Sequence, residues 1–403
     1  MRSDASVRYV PVRELGDVRT GKQLSPASRA GDGQWPYLRV ANVYEGRIDY
    51  SDVNTMAFSS AERATYGLKS GDILLNEGQE NLMMVGRSAL YDGEPGAYCF
   101  QNTLIRFRPG PAVLPAFAQA VFVWWRANAV FAGIAEKTSI SHLGGSRFGN
   151  LRFPLFPIAA QQRIVDVLGS LAELERGIEA SIAKLRVMRS AVIDNLLGSL
   201  DWSNLLPEAL EGPIRNGFSP VESASWTGVQ MLGLGCLTPE GFRPDQLKYA
   251  PPSISPSHSA VLVDGDLLMS RANTRELVGL VGVYKDVGTP CIYPDLMMRM
   301  HPSRKSSASF LAATLMATRA RREIQSMAQG TSESMVKISA GAVKGIRIPL
   351  PSLEEQGKIL SALRIVTERI ESEIAEMAKL RALKQGLVDD LLSGKVAVAV
   401  AGG

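Results

Sequence analysis

Side chains able to read the edges of DNA bases recur in this sequence at matching distances from a repeated signature. Gly71-Asp72-Ile73-Leu74 is followed by Asn76, Glu77 and Gln79; Gly265-Asp266-Leu267-Leu268 is followed by Ser270, Arg271, Asn273 and Arg275. Before a later β-like run stand Gln101-Asn102 in the first case and Pro294-Asp295 in the second. Arginine can donate two parallel hydrogen bonds to guanine, asparagine or glutamine can pair with adenine, and a carboxylate can accept from cytosine. Any one of these residues is compatible with ordinary loop polarity. As a set on a repeated framework, they imply two modules that read two different short sequences. Phosphate contacts require point charges beside backbone amides. Candidates are Arg19 and Lys22 around Gly21 and Lys137 before the Thr-Ser loop; Ser139, Ser141, His142, Arg215, Asn216, Ser332 and Lys337 are further candidate DNA-contacting residues. Arg319, Arg321 and Arg322 form a further basic group.

Catalytic signatures are missing. The chain has no Gly-x-x-x-x-Gly-Lys-Ser/Thr phosphate loop, no strand–Gly-x-Gly-x-x-Gly–helix unit and no His-Glu-x-x-His zinc motif. It also lacks the Asn-Pro-Pro-aromatic run of amino-methyltransferases. His142, His258 and His301 are the only histidines and lie far apart, a poor basis for acid–base work. The acidic residues Asp264 and Asp266 flank a glycine, the usual setting of a solvated turn. Cys99, Cys236 and Cys291 are too few and too scattered for a disulfide framework or a zinc site. No catalysis, metal or cofactor is expected in this chain.

The elements that must position the reading residues come from a tandem duplication. Arg152 to Ser199 reappears from Arg347 onward at a constant offset (347 − 152 = 195), with roughly fifteen of about forty-nine positions identical and no gap. Each copy reads as one long helix. In the first, Ile164, Leu171, Ile178, Leu185 and Val192 recur every seven residues, with Val167, Leu174 and Met188 at the neighbouring d positions. The second steps through Ile359, Leu363, Val366, Ile370, Ile374, Met377, Leu380, Leu383, Leu387 and Leu391. Ser352 and Glu355 form its capping box, and Gly394 ends it. About 38 residues make a rod of roughly 57 Å. The extra apolar residues Leu168, Ile182 and Leu196 are expected to widen the stripe into a partner-binding surface.

Ahead of each helix, short β-like runs alternate with one helical stretch. The first block has runs at 37–44, 72–75, 85–91 and 103–108, a helix at 115–135 and a strand at 151–155; the second has runs at 229–235, 266–269, 278–284 and 296–301, a helix at 309–329 and a strand at 346–350. The fold class is α/β (mixed α+β): two globular domains at 1–157 and 200–351, long helices at 158–199 and 352–396 packed as an antiparallel coiled coil, and a disordered tail at 397–403. With 403 residues, 45% hydrophobic, 21% charged and a net charge of +4, the composition is that of an ordinary soluble protein, mildly basic and compatible with nucleic acid. No signal peptide or membrane span is read, so the cytoplasm is the expected location.

This pattern resembles the specificity subunits of type I restriction–modification systems. The resemblance rests on Pro349-Leu350-Pro351 leading to Gln356 and a long helix, echoed by Pro154-Leu155 and Gln161, where Phe156 stands in place of the second proline. Leu15-Gly16-Asp17, the Gly-Asp-x-Leu runs and the Thr138-Ser139 and Thr331-Ser332 loops look like parts of that family's target-recognition domains. Ala209-Leu210-Glu211-Gly212 fits less well at the start of the second domain. The resemblance implies a non-catalytic DNA-binding subunit whose domains each read one half of a bipartite, asymmetric target. It implies helices that act as spacer and docking surface for two methyltransferase subunits carrying S-adenosylmethionine. Restriction or translocase subunits would bring ATP and Mg2+. Two other readings are a coiled-coil adaptor that binds protein and a stand-alone DNA-modifying enzyme.

Overall fold

The computed structural model describes residues 7–79, 81–137, 141–330 and 335–396. The chain divides into two compact units, one formed by residues 1–177 and 377–403, the other by 178–376. Both are built on the same plan, so the duplication extends through the globular blocks.

In the first unit a four-stranded antiparallel sheet runs in the order Gly16–Thr20, Leu104–Pro109, Ile73–Asn76, Ser88–Leu90. A second, mixed sheet holds Cys99–Phe100, Gln34–Leu38 and Asn54–Ala57. Arg8–Pro11 pairs with Arg152–Leu155 at the entry to the long helix. The second unit repeats both sheets and the entry pair, with several strands shortened. Its four-stranded sheet is Arg215–Asn216, Met297–Met300, Leu267–Ser270, Val281–Val283, and its three-stranded sheet is Leu247–Tyr249, Gln230–Leu232, Cys291–Ile292. Asn204–Leu205 pairs with Arg347–Ile348. The poorly matching start of the second domain therefore does hold the counterpart of the Gly16–Thr20 strand, cut to two residues at Arg215–Asn216.

The Gly-Asp signature explains itself here, and the solvated-turn reading is corrected. Asp72 is fully buried and takes a two-pronged contact from Arg108, at 2.6 and 2.7 Å. Asp266, also buried, meets His301 Nδ1 at 3.0 Å and Arg299 at 3.5 Å. A buried carboxylate is tolerated only when paired and hydrogen-bonded, which is why strand partners carry Arg108 and His301 at corresponding places.

The expected helix at 115–135 is broken. Pro115–Ala127 ends where Ala129 adopts φ 56°, and Val130–Ile134 forms a separate turn. The expected helix at 309–329 splits into Ala308–Met316 and Thr318–Met327 around an extended Ala317. Asp194 Oδ1 accepts from the Thr318 amide at 2.8 Å, so a side chain takes the donor that helix continuity would have used. Glycine is needed at two equivalent positions. Gly86 (φ +75°) and Gly279 (φ +73°) lie against the second helical segment; a Cβ would sit 2.1 Å from Phe131 and 2.2 Å from Ile324 respectively.

The long helices run Ile158–Gly198 and Leu353–Ser393. In the first unit Ile164 and Leu168 share a core with Leu387, Val388 and Leu391, while Glu175 meets Arg381 and Lys384. As one helix advances its partner retreats, so the two lie antiparallel within this unit. In the second unit Ile193 and Leu197 share a cluster with Ile359 and Leu363. The phase of the seam differs from the expected one. Leu168 packs in the first core, Ile182 is buried and Leu196 packs in the second unit's helix cluster, whereas Val167, Leu174 and Met188 are exposed, as is Leu383. In the first unit the stripe covers both the other long helix and the Pro115–Ala127 helix, so positions beside the a row are used and the d row faces outward.

Candidate nucleic-acid interface

In the first unit the Ile73–Asn76 strand ends on Asn76, which is fully buried; its Nδ2 reaches Val43 O at 3.5 Å and its Oδ1 has no partner. The chain then surfaces. The Glu77 amide donates to Thr103 O at 2.9 Å, and Gly78–Gln79 pairs with Ser141–His142, which pairs with Glu136–Lys137. This small sheet gathers residues more than sixty positions apart. Glu77 Oε2 meets His142 Nδ1 at 2.9 Å, with the imidazole 45% exposed and the carboxylate 17%. Arg147 fixes the backbone beneath by donating to Leu143 O and His142 O, both at 3.0 Å. Ser141 is buried. Of Gln79 and Lys137 only the strand pairing is described, and Thr138, Ser139 and Ile140 lie outside the described residues.

A second segment joins this surface. Gly21 is pressed against Phe100 and Gln101 so closely that a Cβ would lie 2.4 Å from their backbone oxygens. The Lys22 amide donates to Phe100 O and the Asn102 amide to Lys22 O, so Gln101 and Asn102 run beside it. Arg19 is exposed near Asp17. The Lys22 ammonium turns inward, donating to Ala57 O at 2.7 Å and to Glu62 at 2.8 Å over the Phe58 ring.

The second unit assembles the corresponding surface from different residues. Ser270 is fully buried at the strand end. The Arg271 amide donates to Leu296 O, and Arg271 O accepts from Ile338 N. The Arg271 guanidinium donates to Asp295 O at 3.2 Å. Ala272–Asn273 pairs with Val336–Lys337, bringing Asn273 and the exposed Lys337 alongside. Arg215 and Asn216 are exposed on the edge strand, and the exposed Asp295 is hydrogen-bonded to the Ser219 hydroxyl. Arg275 instead donates to Gln325 O and Ala328 O. Ser332 and Thr331 lie outside the described residues.

The basic group of the later helix is divided. Arg321 donates to Val278 O and Glu276 O, and burial pulls its pKa down. Arg319 lies over the Trp202 ring at 4.8 Å, and Arg322 is exposed. Sequence reasoning passed over Phe218 and Ser219, which stand on the second surface immediately after Gly217. The signal was available: Arg215-Asn216-Gly217 answers Arg19-Thr20-Gly21. Among the described residues no cluster of His, Cys, Asp and Glu could hold a metal ion, and no helix is long and apolar enough to cross a membrane. The three cysteines are buried and unpaired.

Residues 6–184 and 261–381 match the family described as the type I restriction modification DNA specificity domain. The sequence is 22% identical over 391 residues to the type I restriction enzyme MjaVIII specificity subunit of Methanocaldococcus jannaschii, covering 91% of this chain and 90% of that protein. It is 21% identical over 392 residues to the type I restriction enzyme EcoKI specificity subunit of Escherichia coli, covering 91% and 83%. A solved chain from work on complex assembly and conformational transition of the type I R-M system aligns over 97% of this chain and 98% of its own length, with a TM-score of 0.55 and 18% identity. That likeness is one of fold.

Proposed function

Because the chain belongs to the type I restriction–modification DNA specificity family, we propose that its globular regions, residues 1–157 and 200–351, each read one half of a bipartite, asymmetric duplex target. It is a specificity subunit with two tandem target-recognition domains, and catalysis belongs to other subunits. The observation that carries the half-site reading is the pairing of one framework with two chemistries. Where the first unit presents Glu77 with His142, the second presents Arg271 beside Asp295. Carboxylate and guanidinium select different bases, so the two surfaces suit different sequences. Exposed Arg19, Arg215 and Lys337 supply phosphate contacts, which position a protein on DNA without reading it.

The long helices act as spacer and as the docking surface for two methyltransferase subunits in the cytoplasm. Those subunits bring S-adenosylmethionine, and restriction subunits bring ATP and Mg2+. Mapping methylated bases across a host genome, with and without this gene, tests the reading. A single split motif with a fixed gap should vanish on deletion. Loss of a continuous motif, or no change, would leave the protein-binding adaptor as the better account.

A further inference from the structure

We propose that Phe218 is a specificity-determining residue of the second recognition surface, and that its ring reads the 5-methyl group of a pyrimidine in the DNA major groove. The inference rests on the reading of that surface as a half-site reader. Its starting point is placement rather than exposure, since isolated surface phenylalanines are common. Phe218 is 45% exposed and stands between the exposed pair Arg215-Asn216 and Ser219, whose hydroxyl binds Asp295. The same 293–295 segment receives the Arg271 guanidinium. The ring is thus set among the groups that carry hydrogen-bonding chemistry.

The ring is also held. The Phe218 amide donates to Tyr293 O at 2.9 Å. Gly217 touches the backbone of Tyr293 and Pro294 so closely that a Cβ would fall 2.2 and 2.3 Å from their carbonyl oxygens. On its other side the ring lies against His258 at 5.5 Å and 31°. His258 Nδ1 accepts from the Ala260 amide at 3.1 Å, which orients the imidazole. A ring fixed by its backbone and by an oriented neighbour loses little freedom on contact.

The duplicated position sharpens the argument. Gly21, pressed on its strand in the same way, is followed by Lys22, which turns inward to Ala57 and Glu62. At one place on one framework, the first unit turns a cation inward and the second shows a phenyl ring. An apolar group among polar readers has one natural partner in the major groove, the thymine methyl, which hydrogen bonds cannot recognise.

The test uses the full chain in complex with its co-expressed methyltransferase subunits, and duplexes carrying the mapped target. Each thymine of the second half-site is replaced in turn by uracil, and each cytosine by 5-methylcytosine. The wild-type complex should show one position where the methyl group changes affinity about fourfold, the effect of burying one methyl-sized group. Phe218→Ala should abolish that dependence, and Phe218→Leu should retain most of it. The inference is overturned if the methyl scan of Phe218→Ala matches that of wild type. It is equally overturned if Phe218→Ala weakens every duplex alike, including one without the target. Arg271→Ala separates the levels: if it alters preference in this half-site while Phe218→Ala does not, only the inference fails. If no base substitution in this half-site changes the affinity of the wild-type complex, the half-site reading falls with it.

Discussion

Gln161 and Gln356 share three equivalent hydrogen bonds in the two units, and Gln356 also accepts from the Ser306 hydroxyl. Gln161 Oε1 accepts from the Leu114 amide at 2.8 Å, and its Nε2 donates to Ala112 O and Phe156 O at 2.9 and 2.8 Å. Gln356 Oε1 accepts from the Ser307 amide at 3.1 Å, and its Nε2 donates to Lys305 O and Pro351 O at 2.8 and 3.0 Å. Leu114 and Ser307 are the N-cap residues of the Pro115–Ala127 and Ala308–Met316 helices. Each long helix therefore fixes, through one buried amide, the start of the helix that packs on its unit's four-stranded sheet.

The clamp is expected to matter energetically. Gln161→Ala leaves one amide and two carbonyls without their partner in a site closed to solvent, a loss of about 2–4 kcal/mol. Urea unfolding followed by tryptophan fluorescence should show an early transition for the first unit, which contains Trp124 and Trp125. A midpoint unchanged from wild type would show the amide to be dispensable.

The buried aspartates make a second comparison. Arg108→Ala should cost about 3–5 kcal/mol, because it strands the Asp72 carboxylate away from water. Arg108→His should cost less, since His301 fills that role for Asp266 in the second unit. If alanine and histidine destabilise equally in thermal melts, the correspondence between the two pairs has no energetic meaning.

A third expectation concerns pH. Trp124 Nε1 donates to Asp389 Oδ1 at 2.7 Å, and that bond, with smaller help from Gln385, Asn128 and the Lys395 charge, holds the Asp389 carboxyl below the usual aspartate range. A depressed native pKa adds stability above the unfolded value, and that stability is lost as pH falls through the native one. Acidification below the ordinary aspartate range should therefore release Trp124 and shift its emission. Asp389→Asn should remove the pH dependence of that shift; a shift that persists unchanged in the variant assigns it to another group.

Much of this architecture was legible in the chain because duplication supplies its own control. The Gly-Asp strands, the glutamines and both long helices stand at matching positions, and the structure gives each pair a corresponding place in its unit. Other features depended on what lies across a contact. At the helix break by Ala317, the Thr318 amide is taken by Asp194, 124 residues away (318 − 194 = 124). The seam phase comes from a third helix that covers part of the stripe, which a heptad count cannot include. At the candidate surfaces, strand ends looked alike in sequence, yet Asn76 and Ser270 are buried while Glu77 and Arg271 emerge. Both strands are buried on both faces, so exposure begins only where the chain leaves the sheet, a point that alternation along the sequence does not mark.

The last prediction separates the two surfaces. Arg271 is held by its backbone on both sides, and its guanidinium donates to Asp295 O. If it reads a base, Arg271→Ala should cost about 1–3 kcal/mol on the target and relax one position of one half-site. Glu77→Gln removes the carboxylate that meets His142 and should disturb preference only in the other half-site. Methylation motifs from cells carrying each variant give both answers together. Two variants that relax the same half-site would contradict the division of labour. A variant that loses all DNA binding alike would place its residue on the phosphate backbone or in the fold.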